Sequence, residues 1–201
     1  MSGGVTESTI ELGEGDVLLI VDVQRDFLPG GALAVPQGDE VVPALNAYLA
    51  RWRQHRLPVI ASRDWHPPDH CSFVSRGGPW PTHCVAGSPG ARFPETLELP
   101  PETIVVSKAT DPDREAYSAF EGTDLDERLQ AVRARRLFVG GLATDYCVRA
   151  TVDDALARGY PVLVLADAVR AVERQPGDGA RALETMQARG AIVIDRGALA
   201  R

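Results

Sequence analysis

Long apolar runs and an excess of basic residues are both missing from this chain of 201 residues. No apolar stretch approaches the roughly 18–20 residues that a membrane-spanning helix needs, so we expect no membrane association. The net charge of -7 argues against a nucleic-acid partner and favours small-molecule chemistry. The N-terminus carries Glu7, Glu11 and Glu14 instead of a basic region before an apolar core, so no signal peptide is expected.

Cysteine is scarce. Cys71, Cys84 and Cys147 are odd in number and widely spaced, which fits no disulfide framework and predicts a reducing, cytoplasmic location. Lysine is almost absent, because the 21 basic residues comprise Lys108 and arginines only. A bias toward arginine does not explain the one lysine that remains. Since an ammonium group is a compact charge whose pKa shifts on burial, we predict a functional role for Lys108, with chance retention as the alternative.

Strand-like and helix-like segments alternate along the chain, with no internal repeat or interdomain linker. This pattern predicts one α/β domain over residues 1–201, built on a parallel sheet with helices on both faces, and a flexible N-terminal extension over residues 1–15. The predicted strands cover residues 16–21, 58–62, 103–107, 137–139, 161–166 and 191–194. The predicted helices cover residues 39–56, 124–135, 144–159 and 178–189.

Four polar side chains lie at or just beyond the carboxyl ends of predicted strands: Asp22, Asp64, Lys108 and Cys147. The carboxyl ends of parallel strands share one edge of the sheet, where open α/β sheets bind their ligands. We therefore expect these four side chains to converge on one site.

Cys147 follows a predicted turn at Gly140 and Gly141 and falls in the first turn of a helix that Thr144 or Asp145 can cap. A helix N-terminus favours the thiolate form of a cysteine and offers free N–H groups to an oxyanion. The alternative is that Cys147 is a small apolar residue of the core, where free cysteines usually lie.

An unperturbed thiol is mostly protonated at neutral pH, so a nucleophilic cysteine needs a base. Asp22 can accept the proton, while Lys108 keeps the carboxylate ionised and offsets the developing negative charge. A cysteine–histidine pair is the commoner solution, but the four histidines lie at positions 55, 66, 70 and 83, in a helix or the central loop. We therefore predict a Cys-Asp-Lys arrangement.

A second set of residues predicts a metal site. Asp64 and His66 are two residues apart in an extended segment, so their side chains can face one ion, and His83 returns from the later part of the loop. Two imidazoles and a carboxylate suit zinc, iron or manganese, and His70 is a further candidate ligand, directly or through water. The alternative, which is the commoner one for an isolated Asp-x-His motif, is that these groups only order the loop by hydrogen bonding.

Taken together, the sequence resembles the nicotinamidases, within the isochorismatase-like cysteine hydrolases, over nearly its whole length. The resemblance rests on five segments: Val21-Asp22-Val23-Gln24-Arg25-Asp26-Phe27 with Pro29-Gly30-Gly31; Asp64-Trp65-His66-Pro67 with Ser72-Phe73; Trp80-Pro81-Thr82-His83-Cys84-Val85; Lys108 with Tyr117-Ser118-Ala119-Phe120; and Gly140-Gly141-Leu142-Ala143-Thr144-Asp145-Tyr146-Cys147-Val148. The metal-type Asp-x-His and the Trp-Pro-x-His-Cys segment point to the nicotinamidase branch.

The resemblance implies a three-layer, Rossmann-like α/β/α sandwich with a six-stranded parallel sheet. It also implies that nicotinamide is hydrolysed to nicotinate and ammonia through a thioester, with pyrazinamide and close analogues accepted. In this reading Cys147 is the nucleophile, Asp22 the base and Lys108 the third catalytic member. The Leu142–Ala143 peptide would be cis, and the N–H groups of Ala143 and Cys147 would form an oxyanion hole.

The remaining site residues are implied in the same way. Asp64, His66 and His83 would bind one divalent transition metal, with zinc favoured over iron or manganese, and His70 is a ligand in some relatives but not in others. The substrate-binding residues would be Phe27, Trp80, Tyr117 and Leu142. Whether the chain forms a homo-oligomer stays open, and Cys71 stands where a small residue such as glycine is expected.

Two other kinds of enzyme share parts of this pattern. Another amide or ureido hydrolase of the same superfamily would keep the Cys-Asp-Lys set but usually lacks the metal residues. A non-haem iron oxygenase would use two histidines and a carboxylate, but on a β jelly roll and with no need for Lys108 or Cys147. A catalytically silent binding protein is disfavoured because every catalytic position is filled.

Overall fold

The computed structural model describes residues 9–200 and contains a six-stranded sheet in which every strand pair is parallel. The order across the sheet is β3-β2-β1-β4-β5-β6. The strands are β1 (Asp16–Val21), β2 (Val59–Asp64), β3 (Ile104–Lys108), β4 (Arg136–Leu142), β5 (Val162–Arg170) and β6 (Ile192–Ile194). The helices are α1 (Val41–His55), α2 (Leu125–Ala131), α3 (Arg149–Ala157) and α4 (Asp178–Ala188). The predicted parallel α/β fold is confirmed.

Two hydrophobic cores cover the two faces of the sheet. On one face, α1 packs through residues such as Leu45 and Trp52 onto Leu18 and Ile20 of β1. On the other face, α2, α3 and α4 pack onto the alternate residues of the same strand, Val17, Leu19 and Val21. Because β1 is buried on both faces, all of its residues are apolar after Asp16, which is the pattern of a central parallel strand. The three layers are those of the predicted sandwich.

The end of β4 differs from the prediction. Gly140 and Gly141 were expected in a turn, but both belong to β4 and pair with Ile20 and Val21 of β1. Gly141 has a φ of 126°, and the backbone of Val21 occupies the space where a Cβ would lie. Glycine is therefore needed here for close approach of two strands rather than for a loose turn.

The N-terminal segment is only partly described. Residues 1–8 of the predicted extension lie outside the described residues. From residue 9 onward the chain packs on the domain, because Ile10 pairs with Leu199 and Leu12 contacts the core on the α1 face. No helix within residues 9–200 combines the length and the apolar character that crossing a membrane requires.

The central segment between β2 and β3 contains one short 3-10 turn, Val74–Arg76, and otherwise irregular structure. It is nevertheless well packed, since Phe73, Cys84 and Ala91 are fully buried. The aromatic residues and histidines of this long segment thus belong to an ordered part of the domain.

Candidate active site

The four polar residues at the strand ends converge as predicted. Asp64 and Lys108 end β2 and β3, Asp22 follows β1, and Cys147 lies in a π-helical turn, Thr144–Val148, after β4. These strands are consecutive neighbours in the sheet. Ligand atoms of Asp22, Asp64 and Cys147 lie within 4.8 Å of one another.

Lys108 is the centre of this cluster and its side chain is completely buried. Its Nζ lies 3.0 Å from Asp22 Oδ2 and 2.5 Å from Asp64 Oδ1, and it also donates to the Ala116 carbonyl at 3.0 Å. The Cys147 sulfur is 3.5 Å from the same nitrogen. Burial acts to lower the pKa of this amine, but the two carboxylates outweigh it and raise the pKa well above its usual value. Lys108 is therefore a charged ammonium group.

The two carboxylates differ in their surroundings. Ser62 donates a hydrogen bond of 2.6 Å to Asp22 Oδ1, while Oδ2 forms an ion pair with the Lys108 ammonium at 3.0 Å. Burial raises the pKa of Asp22, against the opposing effect of Lys108. Burial also acts to raise the pKa of Asp64, but the effects of Lys108 and His66 outweigh it, and the pKa of Asp64 is lowered. Asp22 is thus the better proton acceptor of the two.

Two expectations about Cys147 are wrong. Neither Thr144 nor Asp145 caps the helix, because Ala143 holds the N-cap position and the Asp145 carboxylate instead accepts the N–H groups of Val172 and Glu173. The thiolate is also not favoured at rest. Burial raises the pKa of the Cys147 thiol well above its ordinary value, Lys108 opposes this, and the two nearby carboxylates add to it. The sulfur therefore rests as a thiol and needs a base to ionise it.

The backbone beside Cys147 presents a free N–H donor at Ala143. The Leu142–Ala143 peptide is cis, as the family resemblance implied. Among the described residues, the Ala143 N–H donates to no protein acceptor, and the Cys147 N–H lies in the π-helical turn that follows it. An unpaired N–H group beside a buried sulfur is one of the donors that an oxyanion hole requires.

The predicted metal ligands also come together. Asp64, His66 and His83 each offer a ligand atom, and these atoms lie within 4.8 Å of one another. Both ring nitrogens of the buried His66 lack a hydrogen-bond partner among the described residues. His83 Nδ1 lies 2.7 Å from the Pro81 carbonyl, which leaves Nε2 free, and burial lowers the pKa of this imidazole toward the neutral form. Imidazole nitrogens without a hydrogen-bond partner, together with a carboxylate, fit a divalent transition metal.

His70 does not share this arrangement. Its Nδ1 lies 2.8 Å from Ser72 Oγ and its Nε2 lies 3.0 Å from the Arg114 carbonyl, so both nitrogens have protein partners. Its ring packs against that of His66 with centroids 4.3 Å apart. His70 therefore supports the His66 ring rather than offering a free ligand atom.

A cavity is lined on one side by Cys147 and by the predicted metal ligands. Its walls include Phe27, Trp80 and Tyr117 as predicted, and Trp80 Nε1 donates to the Tyr117 hydroxyl at 3.0 Å. The empty space among these side chains, with its open mouth included, is about 460 Å³. Leu142, predicted to contact substrate, instead packs in the core on the α1 face and does not line this cavity.

Several cavity residues were missed by the sequence analysis: Leu33, Val35, Glu115, Ala116, Tyr146 and Val172. Tyr146 packs edge-on against Trp80 with ring centroids 5.1 Å apart. Its position next to Cys147 was a signal that could have found it. Val172 carried no such signal in the sequence; its backbone N–H donates to the Asp145 carboxylate, which is 27 positions away in the chain.

Comparison with known proteins agrees with this geometry. The isochorismatase domain family matches residues 16–198. The chain is 44% identical over 198 residues to a nicotinamidase of Escherichia coli, covering 88% of this chain and 92% of that protein. A pyrazinamidase of Pyrococcus horikoshii, solved in complex with zinc, has a TM-score of 0.86 at 49% identity, covering 90% of this chain and 99% of that one.

A structure from L. infantum, solved in complex with nicotinate, has a TM-score of 0.88 at 35% identity and covers 96% of this chain and 98% of that one. The sheet, the buried cysteine cluster and these relatives lead to one assignment. This chain belongs to the isochorismatase family of hydrolases, in its nicotinamidase and pyrazinamidase branch.

Proposed function

We propose that this protein hydrolyses nicotinamide to nicotinate and ammonia, through a thioester on Cys147. The observation that carries the proposal is the buried cluster of Asp22, Lys108 and Cys147, which opens directly into an aromatic cavity. The similarity to nicotinamidases over most of the chain supports the same substrate class. Pyrazinamide and close analogues, which share a flat ring and a carboxamide, fit the same proposal.

The first half of the reaction forms the thioester. Asp22 takes the proton from the Cys147 thiol, and the sulfur attacks the carbonyl carbon of the carboxamide. The N–H groups of Ala143 and Cys147 hold the oxyanion that develops on the carbonyl oxygen. When the tetrahedral intermediate collapses, the carbon–nitrogen bond breaks, and ammonia leaves with the proton that Asp22 returns to it.

The second half releases the acid. A water molecule gives a proton to Asp22 and its oxygen attacks the thioester carbon, after which the carbon–sulfur bond breaks and the thiol is restored with that proton. Lys108 stays protonated throughout and balances the negative charge that moves between Asp22 and the sulfur. A buried charge with no such partner would be costly in both halves of the cycle.

We propose that Asp64, His66 and His83 hold one divalent transition metal, with zinc as the favoured ion. When bound, the ion supplies a Lewis acid for the pyridine nitrogen of the substrate or for its water. His70 is excluded from our ligand set because both of its nitrogens already have partners. Phe27 and Trp80 would enclose the ring, and Tyr117 would orient Trp80 through its hydroxyl.

The alternatives weighed on the sequence fit less well. An iron oxygenase on a β jelly roll is inconsistent with the parallel sheet. A ureido hydrolase would not need the free imidazole atoms of His66 beside the cavity. Because the product is a pyridine carboxylate, we propose a role in the salvage of pyridine nucleotides. The three free cysteines support our proposal of a cytoplasmic location.

The test is ammonia release from nicotinamide by the purified protein, with metal content measured by elemental analysis. We expect turnover, about one transition-metal ion per chain, and loss of activity after chelation that the added metal restores. Benzamide, which has the same shape but no pyridine nitrogen, is the matched control substrate and should react poorly. Failure of the metal-loaded protein to release ammonia from nicotinamide would refute the proposal.

A further inference from the structure

Two polar side chains in the segment after β1 form hydrogen bonds with the backbone near two proposed metal ligands, Asp64 and His83. Gln24 contacts Asp64, and Asp26 contacts Cys84, which follows His83 directly. We propose that Gln24 and Asp26 are positioning residues that set the affinity of the metal site. This inference rests on the metal site of the proposed function and adds to it residues that do not themselves touch the ion.

Gln24 replaces a missing strand partner. The backbone of β1 makes its last bond to β2 from the Asp22 N–H to the Ser62 carbonyl, and the chain then turns away at Asp22, whose φ is 49°. Beyond this point the β1 backbone offers no hydrogen-bond partner to the N–H and carbonyl groups of Asp64. The Gln24 side chain fills that place, because Oε1 accepts the Asp64 N–H at 2.8 Å and Nε2 donates to the Asp64 carbonyl at 2.8 Å.

The same amide reaches a second segment. Gln24 Nε2 also donates to the Ala91 carbonyl at 2.9 Å, which ties the loop after His83 to the end of β2. Gln24 is fully buried, and all three of its hydrogen bonds are shielded from water. A buried amide with every bond made fixes its partners more firmly than an exposed one, since water cannot compete for them.

Asp26 fixes the backbone beside His83, as Gln24 fixes the backbone of Asp64. Its Oδ2 accepts the Cys84 N–H at 2.7 Å, and Cys84 has the left-handed φ of 46°. The backbone of Asp26 also donates to the Gly90 carbonyl at 3.0 Å. A Cβ at Gly90 would overlap the Asp26 carboxylate, so the loop is packed directly on this side chain.

The hydrogen bonds of Gln24 help to set where the Asp64 carboxylate lies relative to the other proposed ligands. Asp64 must direct one oxygen to Lys108 and the other toward His66, which it approaches at 3.6 Å from Oδ2 to Nε2. The Asp64 backbone sets this orientation, and Gln24 sets that backbone. A transition metal tolerates only small departures in ligand position, and loss of an outer hydrogen-bond partner typically lowers metal affinity by about 10–100-fold.

A purely architectural role for these side chains would lower the stability of the whole domain without a selective effect on metal affinity. The chain offers a matched control for this alternative. Asn46 on α1 makes a similar two-bond contact with a backbone segment that carries none of the proposed ligands, donating from Nδ2 to the Thr96 carbonyl at 2.8 Å and accepting the Glu98 N–H at 2.9 Å. Asn46→Leu should therefore destabilise the fold and leave metal affinity as it was.

The experiment measures Co²⁺ binding to metal-free protein by competition with a chromophoric chelator, together with the visible spectrum of bound Co²⁺. Thermal unfolding of each metal-free variant is recorded alongside. We expect Gln24→Met and Asp26→Ala each to lower Co²⁺ affinity by about tenfold or more and to alter the spectrum. Asn46→Leu should show the parental affinity and spectrum.

A folded Gln24→Met or Asp26→Ala protein with parental Co²⁺ affinity and spectrum would overturn the inference for that residue. If Gln24→Met does not fold, Asp26→Ala decides, because Asp26 is only half-buried and its loss leaves fewer groups unpaired. Equal loss of affinity in Asn46→Leu would also overturn it. Absence of Co²⁺ binding by the parent would refute the metal site of the proposed function itself, which separates the two failures.

Discussion

Lys108→Arg separates the shape of the buried cation from its charge. The lysine ammonium lies within 3.5 Å of Asp22, Asp64, the Ala116 carbonyl and the Cys147 sulfur, and its side chain has no solvent exposure. Arginine keeps the positive charge, but its guanidinium is larger and planar and cannot reproduce a compact point charge among these groups. Forcing a larger group into a filled interior costs about 1–3 kcal/mol in stability.

The effect on catalysis should exceed the effect on folding. A guanidinium must tilt toward one carboxylate, which moves the charge away from the path of the proton between Cys147 and Asp22. We expect turnover to fall by at least about a hundredfold, which corresponds to about 2.7 kcal/mol of transition-state stabilisation. The KM for nicotinamide should change little, because the residues proposed to hold the ring, Phe27 and Trp80, line the cavity, whereas Lys108 is not among its lining residues.

The assay is steady-state kinetics on the Lys108→Arg protein, after its folding and metal content have been matched to the parent. Lys108→Met is the less useful variant, since it leaves Asp22 and Asp64 together without a counter-charge and costs about 3–5 kcal/mol in stability. Turnover of Lys108→Arg within a few fold of the parent would refute the reasoning, because any positive charge would then suffice at this position.

The other predictions concern the nucleophile and the ring site. Cys147→Ala should abolish ammonia release while metal content and circular dichroism stay unchanged, whereas Cys71→Ala and Cys84→Ala should keep most activity; turnover by the Cys147 variant would exclude a thioester. Tyr117→Phe removes the acceptor of the Trp80 N–H but keeps the ring, so the loss of one hydrogen bond of about 1 kcal/mol should raise KM about fivefold with kcat nearly constant. An unchanged KM in steady-state kinetics would show that Trp80 is held without that bond.

Local pattern was enough to predict the fold class and the cluster at the strand ends. The unbroken apolar run of β1 has few interpretations other than a strand buried on both faces, and alternation with helices then makes the sheet parallel. In a parallel sheet the residue after each strand must lie at the same edge. Asp22, Lys108 and Cys147 were therefore placed together without knowledge of a single contact.

The family resemblance contributed what local pattern could not. The cis Leu142–Ala143 peptide and the enclosing role of Trp80 have no signature in periodicity or spacing. Both were expected only because the segments around them resemble those of nicotinamidases, and the structure contains the cis bond and places Trp80 at the cavity.

Tertiary structure decided the points that depend on distant neighbours. Both ring nitrogens of His70 have protein partners, Ser72 and the carbonyl of Arg114, the latter 44 positions away in the chain. The Cys147 thiol was expected to ionise readily at a helix N-terminus, but burial beside two carboxylates has the opposite effect on its pKa. Hydrogen-bond partners and electrostatic surroundings are sums over all groups within a few ångströms, and the chain order does not reveal which groups those are until the sheet has brought them together.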